Sequence, residues 1–576
     1  MLYLSLVSKK LWWLLAGLIF LAALLLRLIA FGQIPLATYW DETAILMDAA
    51  SVARTGHDVH GGVWWQLIYP SYGDYKAAPY IWLATVMVKF FGVNQAALRL
   101  PSLIAGLGTV VLAGFLASEL GKSRAWSLAA MAVVATSPWA ILFSRTGFEG
   151  NLGQCFLGLA ILFLLKAIHQ LKQTKNKHLL TIVFGFSGGI FAGLATATYF
   201  SVRFVLPVVA LLIGVLLTEQ RVKNEKGKIW QKIFESLGLM VVFFIPFLLT
   251  LLTINNSPYY AASNQYRLSA ASILNQEDLA EQIAGQRQIA GNSLVSKLLF
   301  NQKLALTSSL AKNYAAHLDL DFLFIHGDAN LRHGTRQSGL FLWPLLPFLF
   351  IGAWQLWQKN RPALLILSGY WLAALLPASV PLDVPHALRS LNALLPAALI
   401  IAFGTAELTR WIWQRRRQVP SILLASIFLI LYLATLGQFF WHYLTVYPQV
   451  SASEWQADFD TLTEEIAKHQ HTYSYIYVQN LDNRFFVWAL ANQDLAKLTD
   501  PDQNNEVKSS NFHFTQIGNL YYGDLPELLS TGALYVGTRW TIDNLINSPL
   551  NAHLKVHKVF SVYNYEIEYL GIEVYN

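Results

Sequence analysis

The stretch Lys9-Lys10-Leu11-Trp12-Trp13-Leu14-Leu15-Ala16-Gly17-Leu18-Ile19-Phe20-Leu21-Ala22-Ala23-Leu24-Leu25-Leu26-Arg27-Leu28-Ile29-Ala30-Phe31 decides the fold. Two lysines precede an apolar run from Leu11 to about Phe31, and its one charge, Arg27, lies near the far end. A helix needs roughly 20 such residues to cross the hydrocarbon core, so this run can span. It is too long for the apolar core of a signal peptide and no small-residue cleavage site follows, so it reads as a retained first helix. Lys9 and Lys10 place the N-terminus in the cytoplasm, Arg27 is expected to snorkel at the far interface, and Gly32 onward emerges outside.

The rest of the chain repeats the pattern. Of its 576 residues, 55% are hydrophobic and 13% charged, against about 25% charged in a soluble domain, and mean hydropathy is +0.41. Basic groups recur at Lys122-Ser123-Arg124, Lys172–His178, Arg221–Lys232, Lys359–Arg361 and Arg410–Arg417, and each is expected to be cytoplasmic. Between them lie Leu100–Ala117, Trp126–Phe143, Leu152–Leu165, Leu179–Ala197, Phe204–Leu217, Leu237–Ile254, Leu340–Trp357, Ala363–Val380, Leu391–Phe403 and Ile422 to about Phe440. With the first helix this predicts an α-helical polytopic membrane protein of about 11 transmembrane helices. Tyr80–Phe91, only about a dozen residues ending near Lys89, is expected to lie in the outer interface as a juxtamembrane helix.

This alternation sends Gly32–Arg99, Ser144–Asn151, Thr198–Arg203, Asn255–Gly339, Pro381–Ser390 and everything after His442 outward. The expected organisation is a transmembrane domain over 1–441, with outer loops 32–99 and 255–339, and an extracytoplasmic domain over 442–576. The formal charge of +7 sits in the short loops, which speaks against nucleic-acid binding. The single cysteine, Cys155, lies in an apolar stretch, so one chain offers neither a disulfide nor a cysteine metal cluster. Nucleotide-activated donors are scarce outside the cytoplasm, so an enzyme on that face needs an activated donor carried in the membrane. Ionisable residues are essentially missing from the span interiors, which weakens an ion-coupled transporter reading and leaves open a carrier or flippase of lipid-linked or neutral substrates.

Candidate chemistry clusters in the outer segments. Tyr39-Trp40-Asp41-Glu42-Thr43 presents two adjacent carboxylates soon after the first helix; they suit a general base beside a lipid headgroup, or Asp41 is simply the N-cap of a helix from Glu42. Asp74-Tyr75-Lys76-Ala77-Ala78-Pro79 precedes the juxtamembrane helix, where Lys76 can pair with a phosphate or snorkel to anionic lipid. Ser144-Arg145-Thr146-Gly147-Phe148-Glu149-Gly150-Asn151 holds an opposite-charge pair in a short loop. His326-Gly327-Asp328-Ala329-Asn330-Leu331-Arg332-His333-Gly334-Thr335-Arg336 is dense enough in His, Arg and Asp to be a phosphate or metal site, or a solvated loop, and Pro381–Ser390 adds His386 and Arg389. Arginine suits phosphate because its planar donors engage two oxygens.

Taken in order, Asp41-Glu42-Thr43, the Lys and Pro before an interfacial segment, Arg99-Leu100-Pro101, and Ser144-Arg145 with an acid four residues on resemble the GT-C glycosyltransferases. The likeness is to family 39, the group of protein O-mannosyltransferases and the aminoarabinose transferase of lipid A; it covers best the first roughly 200 residues and returns weakly at His326–Gly339 and His386–Arg389. The resemblance implies a GT-C fold and transfer of a hexose or pentose from a polyprenyl-phosphate donor to a protein, lipid or glycan acceptor, with inversion. It implies Asp41 as catalytic base, Glu42 and Glu149 shaping the acceptor or metal site, and Lys76 and Arg145 facing the donor phosphate. Asp74, His326, Asp328, Arg332, His333, Arg336, His386 and Arg389 complete the expected substrate-binding set. The acid that such enzymes carry directly before the Lys is Tyr75 here, with Asp74 one position back, and Ala78-Pro79 replaces a double proline. A divalent metal ion is a candidate cofactor, with its ligands unassigned. A polymerase or ligase of lipid-linked oligosaccharide shares the same carrier and stays open.

In the tail, Ala457–His469 has amphipathic helical spacing, while Tyr473–Gln479, Ala533–Gly537, Val559–Tyr563 and Tyr565–Val574 alternate as strands, which predicts a small α/β domain. Tyr475, Phe485, Phe486, Trp488, Tyr521 and Tyr522 suit glycan contact or, equally, core packing. The expected location is the cytoplasmic membrane, with the active site outside.

Overall fold

The structure is a computed structural model describing residues 8–71, 74–171, 178–224, 229–269, 277–291, 293–415, 418–469, 471–479, 506–509, 512–517, 520–523, 525–564 and 567–575. The basic segment 172–177, parts of Arg221–Lys232 and Arg410–Arg417, and the aromatics Phe485, Phe486 and Trp488 lie outside the described residues.

In chain order the elements are α1 (Lys9–Leu28), α2 (Trp40–Thr55), β1 (Ile68–Ser71), β2 (Asp74–Ala77), α3 (Ala78–Phe91), α4 (Gln95–Gly121), α5 (Arg124–Thr136), α6 (Pro138–Phe143), α7 (Glu149–Leu171), α8 (His178–Thr198), α9 (Val202–Asn224) and α10 (Ile229–Asn255). Next come α11 (Tyr260–Ser269), α12 (Glu277–Ile289), α13 (Leu294–Leu299), α14 (Gln302–Ala316), α15 (Leu346–Lys359), α16 (Arg361–Ala378), α17 (Leu394–Gln414), α18 (Val419–Thr445), α19 (Tyr447–Val450) and α20 (Ala457–His469). The tail adds β3 (Tyr475–Gln479), β4 (Glu506–Ser509), β5 (Phe512–Ile517), β6 (Leu520–Gly523), β7 (Ala533–Thr538), α21 (Arg539–Ile546), β8 (Lys555–Asn564) and β9 (Ile567–Tyr575). The chain forms two compact units: residues 1–31, 77–80 and 101–443 in a helical unit, and residues 32–76, 81–100 and 444–576 in a loop-and-tail unit. Residues 32–76 and 81–100, taken from sequence as a loop of the first domain, thus group with the tail.

Among the described residues nine helices are long and apolar enough to cross a membrane: α1, α4, α7, α8, α9, α10, α16, α17 and α18, each on a stretch expected to span. The two remaining expected spans are interrupted. In Trp126–Phe143, α5 stops at Thr136, Ser137 is extended, and α6 begins at Pro138. Proline has no N–H to give and its ring would clash with the preceding turn, so the helix restarts there, and Ser137 Oγ caps the new start by accepting from Ala140 N at 3.4 Å. In Leu340–Trp357 a 3-10 turn over Trp343–Leu345 contains Pro344 and leads into α15, 14 residues long with Pro347 in its first turn. α3, expected to be juxtamembrane, is a 14-residue apolar helix.

Arg27 behaves differently from the expected snorkelling. It is fully buried, with Nη1 donating to Ala135 O at 2.9 Å, Nη2 to Val134 O at 3.3 Å and Nε to Ser144 Oγ at 3.0 Å. The last carbonyls of a helix have no intrahelical donor and carry its negative dipole end. A cation turned inward onto the end of α5 satisfies them, so the interruption at Pro138 and the buried charge explain each other.

In the tail, a sheet of seven strands runs β4-β5-β6-β3-β7-β9-β8. β3 is parallel to β6 and β7, and the other pairings are antiparallel. Successive side chains of a strand face opposite sides. Accordingly Ile476 and Val478 pack with Leu462 and Ile466 of α20, while Tyr477 packs on the other face with Tyr535 and Ile542 of α21. The helix falls on the expected residues and β3, β7, β8 and β9 overlap the expected strands, while β4, β5 and β6 were not expected from the sequence.

Candidate functional site

Asp41 is the second residue of α2, not its N-cap. Tyr39 is the cap, with no side-chain cap hydrogen bond, so the capping explanation for Asp41 falls away. The Asp41 carboxylate accepts instead from Lys76 Nζ. Lys76 lies on β2 two residues after Asp74, and period-two alternation puts both side chains on one face; Lys76 Nζ donates to Asp74 Oδ2 at 2.7 Å. The lysine side chain is only 7% exposed and the two carboxylates 25% each. Two acids thus meet one ammonium at a solvent-touching edge. Asp74 therefore does what an acid directly before the lysine could not do from the opposite face of the strand.

Glu42, expected beside Asp41 in the chemistry, points the other way. It is fully buried, and Arg99, equally buried, clasps it at both oxygens, Nε to Oε1 at 2.9 Å and Nη2 to Oε2 at 2.6 Å. Arg99 also donates to Pro35 O at 3.0 Å and Ala37 O at 2.8 Å and stacks 5.5 Å from the Trp455 ring. Adjacent residues on a helix lie about 100° apart, so one acid can face solvent while its neighbour forms a strut.

The sequence reading passed over Asp48, which shares the α2 face of Asp41 at an i, i+7 spacing. It is buried. Burial pushes its carboxyl well above the usual range, with nearby Asp58 adding to the shift, while Val59 N, donating to it at 3.3 Å, and Lys76 act against it. With the folded value above the unfolded one, the acid form's contribution is fully present below about pH 4 and is lost as pH rises through the folded value. Asp48→Asn cannot ionise, so its melting temperature should vary less between pH 4 and 8 and match or exceed wild type at pH 8. Thermal unfolding across that range checks this; a variant less stable at every pH would mean that Asp48 is needed ionised.

Arg145 and Glu149 lie in the helical unit. Arg145 is fully buried, with Nη1 donating to Arg27 O at 2.7 Å, Nη2 to Ala30 O at 2.9 Å and Nε to Tyr443 Oη at 3.1 Å, its guanidinium over the Tyr443 ring. These nitrogens, which the resemblance has facing the donor phosphate, are turned to carbonyls and a tyrosine and tie the end of α1 to α18. Glu149 opens α7, where a carboxylate meets the positive end of the helix.

The loop after α14 and the loop before α17 converge. Gly334 is so close to the backbone of Asp328 that a Cβ there would sit 2.7 Å from Asp328 O. His333 N and Gly334 N both donate to Asn330 O, at 2.9 and 3.0 Å, and this tight turn carries His333 back to Asp328. From the other loop Ala387 N donates to Asp328 Oδ2 at 2.7 Å, and His386 N donates to His317 Nε2 at 3.2 Å. Asp328, His333 and His386 are all buried, with one ligand atom of each within 4.8 Å of the others. The two imidazoles lie 4.3 Å apart. Burial raises Asp328 to about 6 against the pull of Ala387 N and Asn330 N. Burial likewise holds His333 and His386 well below the usual histidine range, and Arg332 and Arg389 lower both further. At neutral pH this is a carboxylate facing two neutral imidazoles, a set able to hold a divalent ion.

The other expected members stay at the rim. His326 pairs at the surface with Asp321 at 2.6 Å, Arg332 Nε donates to Asn330 Oδ1 at 3.2 Å, Arg336 is exposed and bonds Ala329 O, and Arg389 Nη1 donates to Asp383 O at 3.1 Å. His317 was missed because it lies on no motif; its Nδ1 bonds Asn313 O at 2.8 Å, which leaves Nε2 as the acceptor for His386 N.

The fold of these helices is of the GT-C type. The family model for dolichyl-phosphate-mannose-protein mannosyltransferases matches residues 76–250, beginning at the lysine paired with Asp41. ArnT from Cupriavidus metallidurans in the apo state superposes with a TM-score of 0.52 at 12% identity, over 97% of this chain and 97% of that one. The same enzyme bound to undecaprenyl phosphate superposes with a TM-score of 0.51 at 12% identity, over 98% and 97%. At such identity the likeness is one of fold. No curated protein matches the sequence. The family model thus covers a part of the chain, chiefly in the helical unit, and the fold is shared along nearly the whole chain.

Proposed function

We propose that the chain moves a sugar from a polyprenyl-phosphate carrier to an acceptor on the extracytoplasmic face of the cytoplasmic membrane, by a single inverting displacement with Asp41 as general base. The observation that carries this reading is the Asp41–Lys76–Asp74 cluster, a partly exposed carboxylate held by a buried lysine. The acceptor O–H or N–H gives its proton to Asp41, its heavy atom bonds the anomeric carbon, and the bond from that carbon to the phosphate oxygen breaks toward the phosphate. Lys76 orients Asp41 and offsets charge developing on the leaving phosphate. Support for the carrier comes from the fold shared with ArnT, whose complex holds undecaprenyl phosphate. A divalent cofactor would find its ligands at Asp328, His333 and His386, not at Asp41, where Lys76 already occupies the space between the carboxylates.

The test is incubation of the purified, reconstituted chain with radiolabelled polyprenyl-phosphate hexoses and pentoses and extracted envelope acceptors. Label should pass to an acceptor with release of polyprenyl phosphate, and Asp41→Asn should block it. Movement of intact carrier across vesicles, with the sugar still on its lipid, would establish a carrier or flippase instead.

A further inference from the structure

We infer that Asp328, His333 and His386 form a zinc-class metal site that clasps the 326–339 loop to the 381–390 loop. This does not rest on the transfer reading. One carboxylate oxygen and two imidazole nitrogens are a donor set for a borderline-soft divalent ion. In a tetrahedral site with bonds of about 2.1 Å, neighbouring ligand atoms lie about 3.4 Å apart. His333 Nδ1 is already 3.7 Å from Asp328 Oδ2, and the widest separation in the set, 4.8 Å at most, closes by side-chain rotation of about an ångström.

An independent observation points to a missing partner. His333 Nδ1 is buried and without a hydrogen-bond partner among the described residues, although a buried polar nitrogen is normally satisfied. It faces a carboxylate that is too far for a hydrogen bond and close enough to share an ion. The surroundings are preset: Asn330 N and Ala387 N hold the two Asp328 oxygens at 2.8 and 2.7 Å, leaving lone pairs for a metal, and Phe143 stacks on the His333 ring. Such orientation of ligands by their neighbours is usual around bound metals. Asp383 lies 4.0 Å from His386 Nε2 through its carboxylate, within reach of the fourth position. With Asp383 engaged, two carboxylates balance the ion, so the cationic Arg332 and Arg389 nearby do not expel it.

The experiment uses the full chain in detergent, purified without chelator. Elemental analysis should find about one zinc per chain in wild type and at least tenfold less in His333→Ala; His553→Ala, exposed in the tail, should match wild type. Dialysis against EDTA should lower the melting temperature of wild type, and zinc should restore it, while His333→Ala responds to neither. Should His333→Ala fail to fold, cobalt added to EDTA-treated wild type should give the visible absorption bands of a tetrahedral site. Wild type that holds no more zinc than His333→Ala, melts unchanged in EDTA and gives no cobalt spectrum would overturn the proposal.

Discussion

Asp41→Asn should leave the protein folded and lower turnover by about a hundredfold or more, the usual scale for loss of a general base. The substitution keeps the shape of the side chain, and Tyr39 rather than Asp41 caps α2, so the helix start is untouched. What it removes is a partly exposed ion pair with Lys76, worth about 1 kcal/mol at most. Asp74→Asn makes the comparison, since it removes the second partner of Lys76 and leaves the first; its loss should be several-fold smaller. Turnover per folded molecule, measured with the donor found in the transfer assay, decides the matter. An Asp41→Asn enzyme as fast as wild type would end the assignment of the base.

The largest effect on stability is expected at Glu42 and Arg99. Both are fully buried and doubly hydrogen-bonded to each other, so Glu42→Ala or Arg99→Ala strands a charge and should cost about 3–5 kcal/mol. Arg99→Lys should rescue poorly, because an ammonium cannot reproduce the planar fork that meets both carboxylate oxygens. Replacing both residues together with apolar side chains should recover much of the loss, since a buried pair often contributes little net stability over a well-packed apolar substitute. Thermal unfolding in detergent of the two single variants and the double variant measures this. Single variants as stable as wild type would show that the clasp is not a strut.

How much of this was legible in the sequence varies with the physics involved. Membrane spans are a matter of apolar length, and all nine long helices could be read from it. The interruption at Pro138 was missed because the surrounding residues are apolar and hydropathy does not register a missing N–H. Arg27 was misplaced for a related reason: a lone arginine beside an apolar run looks the same whether it reaches for headgroups or for the end carbonyls of another helix. Asp41, Lys76 and Asp74 were each legible as candidates, but only strand alternation in β2 shows that Asp74 and Lys76 work together. The Asp328 cluster announced itself by density, while the pairing of its loop with His386 depends on a backbone turn and a hydrogen bond from Ala387 that no local pattern encodes.

The crossing of α15 and α17 has a mechanical consequence. A Cβ on Gly352 would lie 2.0 Å from Ile400 O, and one on Gly404 would lie 2.3 Å from Phe348 O. Each glycine thus presses on the other helix's main chain, the close approach that small residues permit between helices in lipid. Main-chain atoms cannot swing aside as side chains do, so the two helices meet as a welded joint, and sliding one past the other would drive carbonyls into carbonyls. Any rearrangement of the helical unit has to come from helices without such a joint, with α15 and α17 as a fixed post against which they swing.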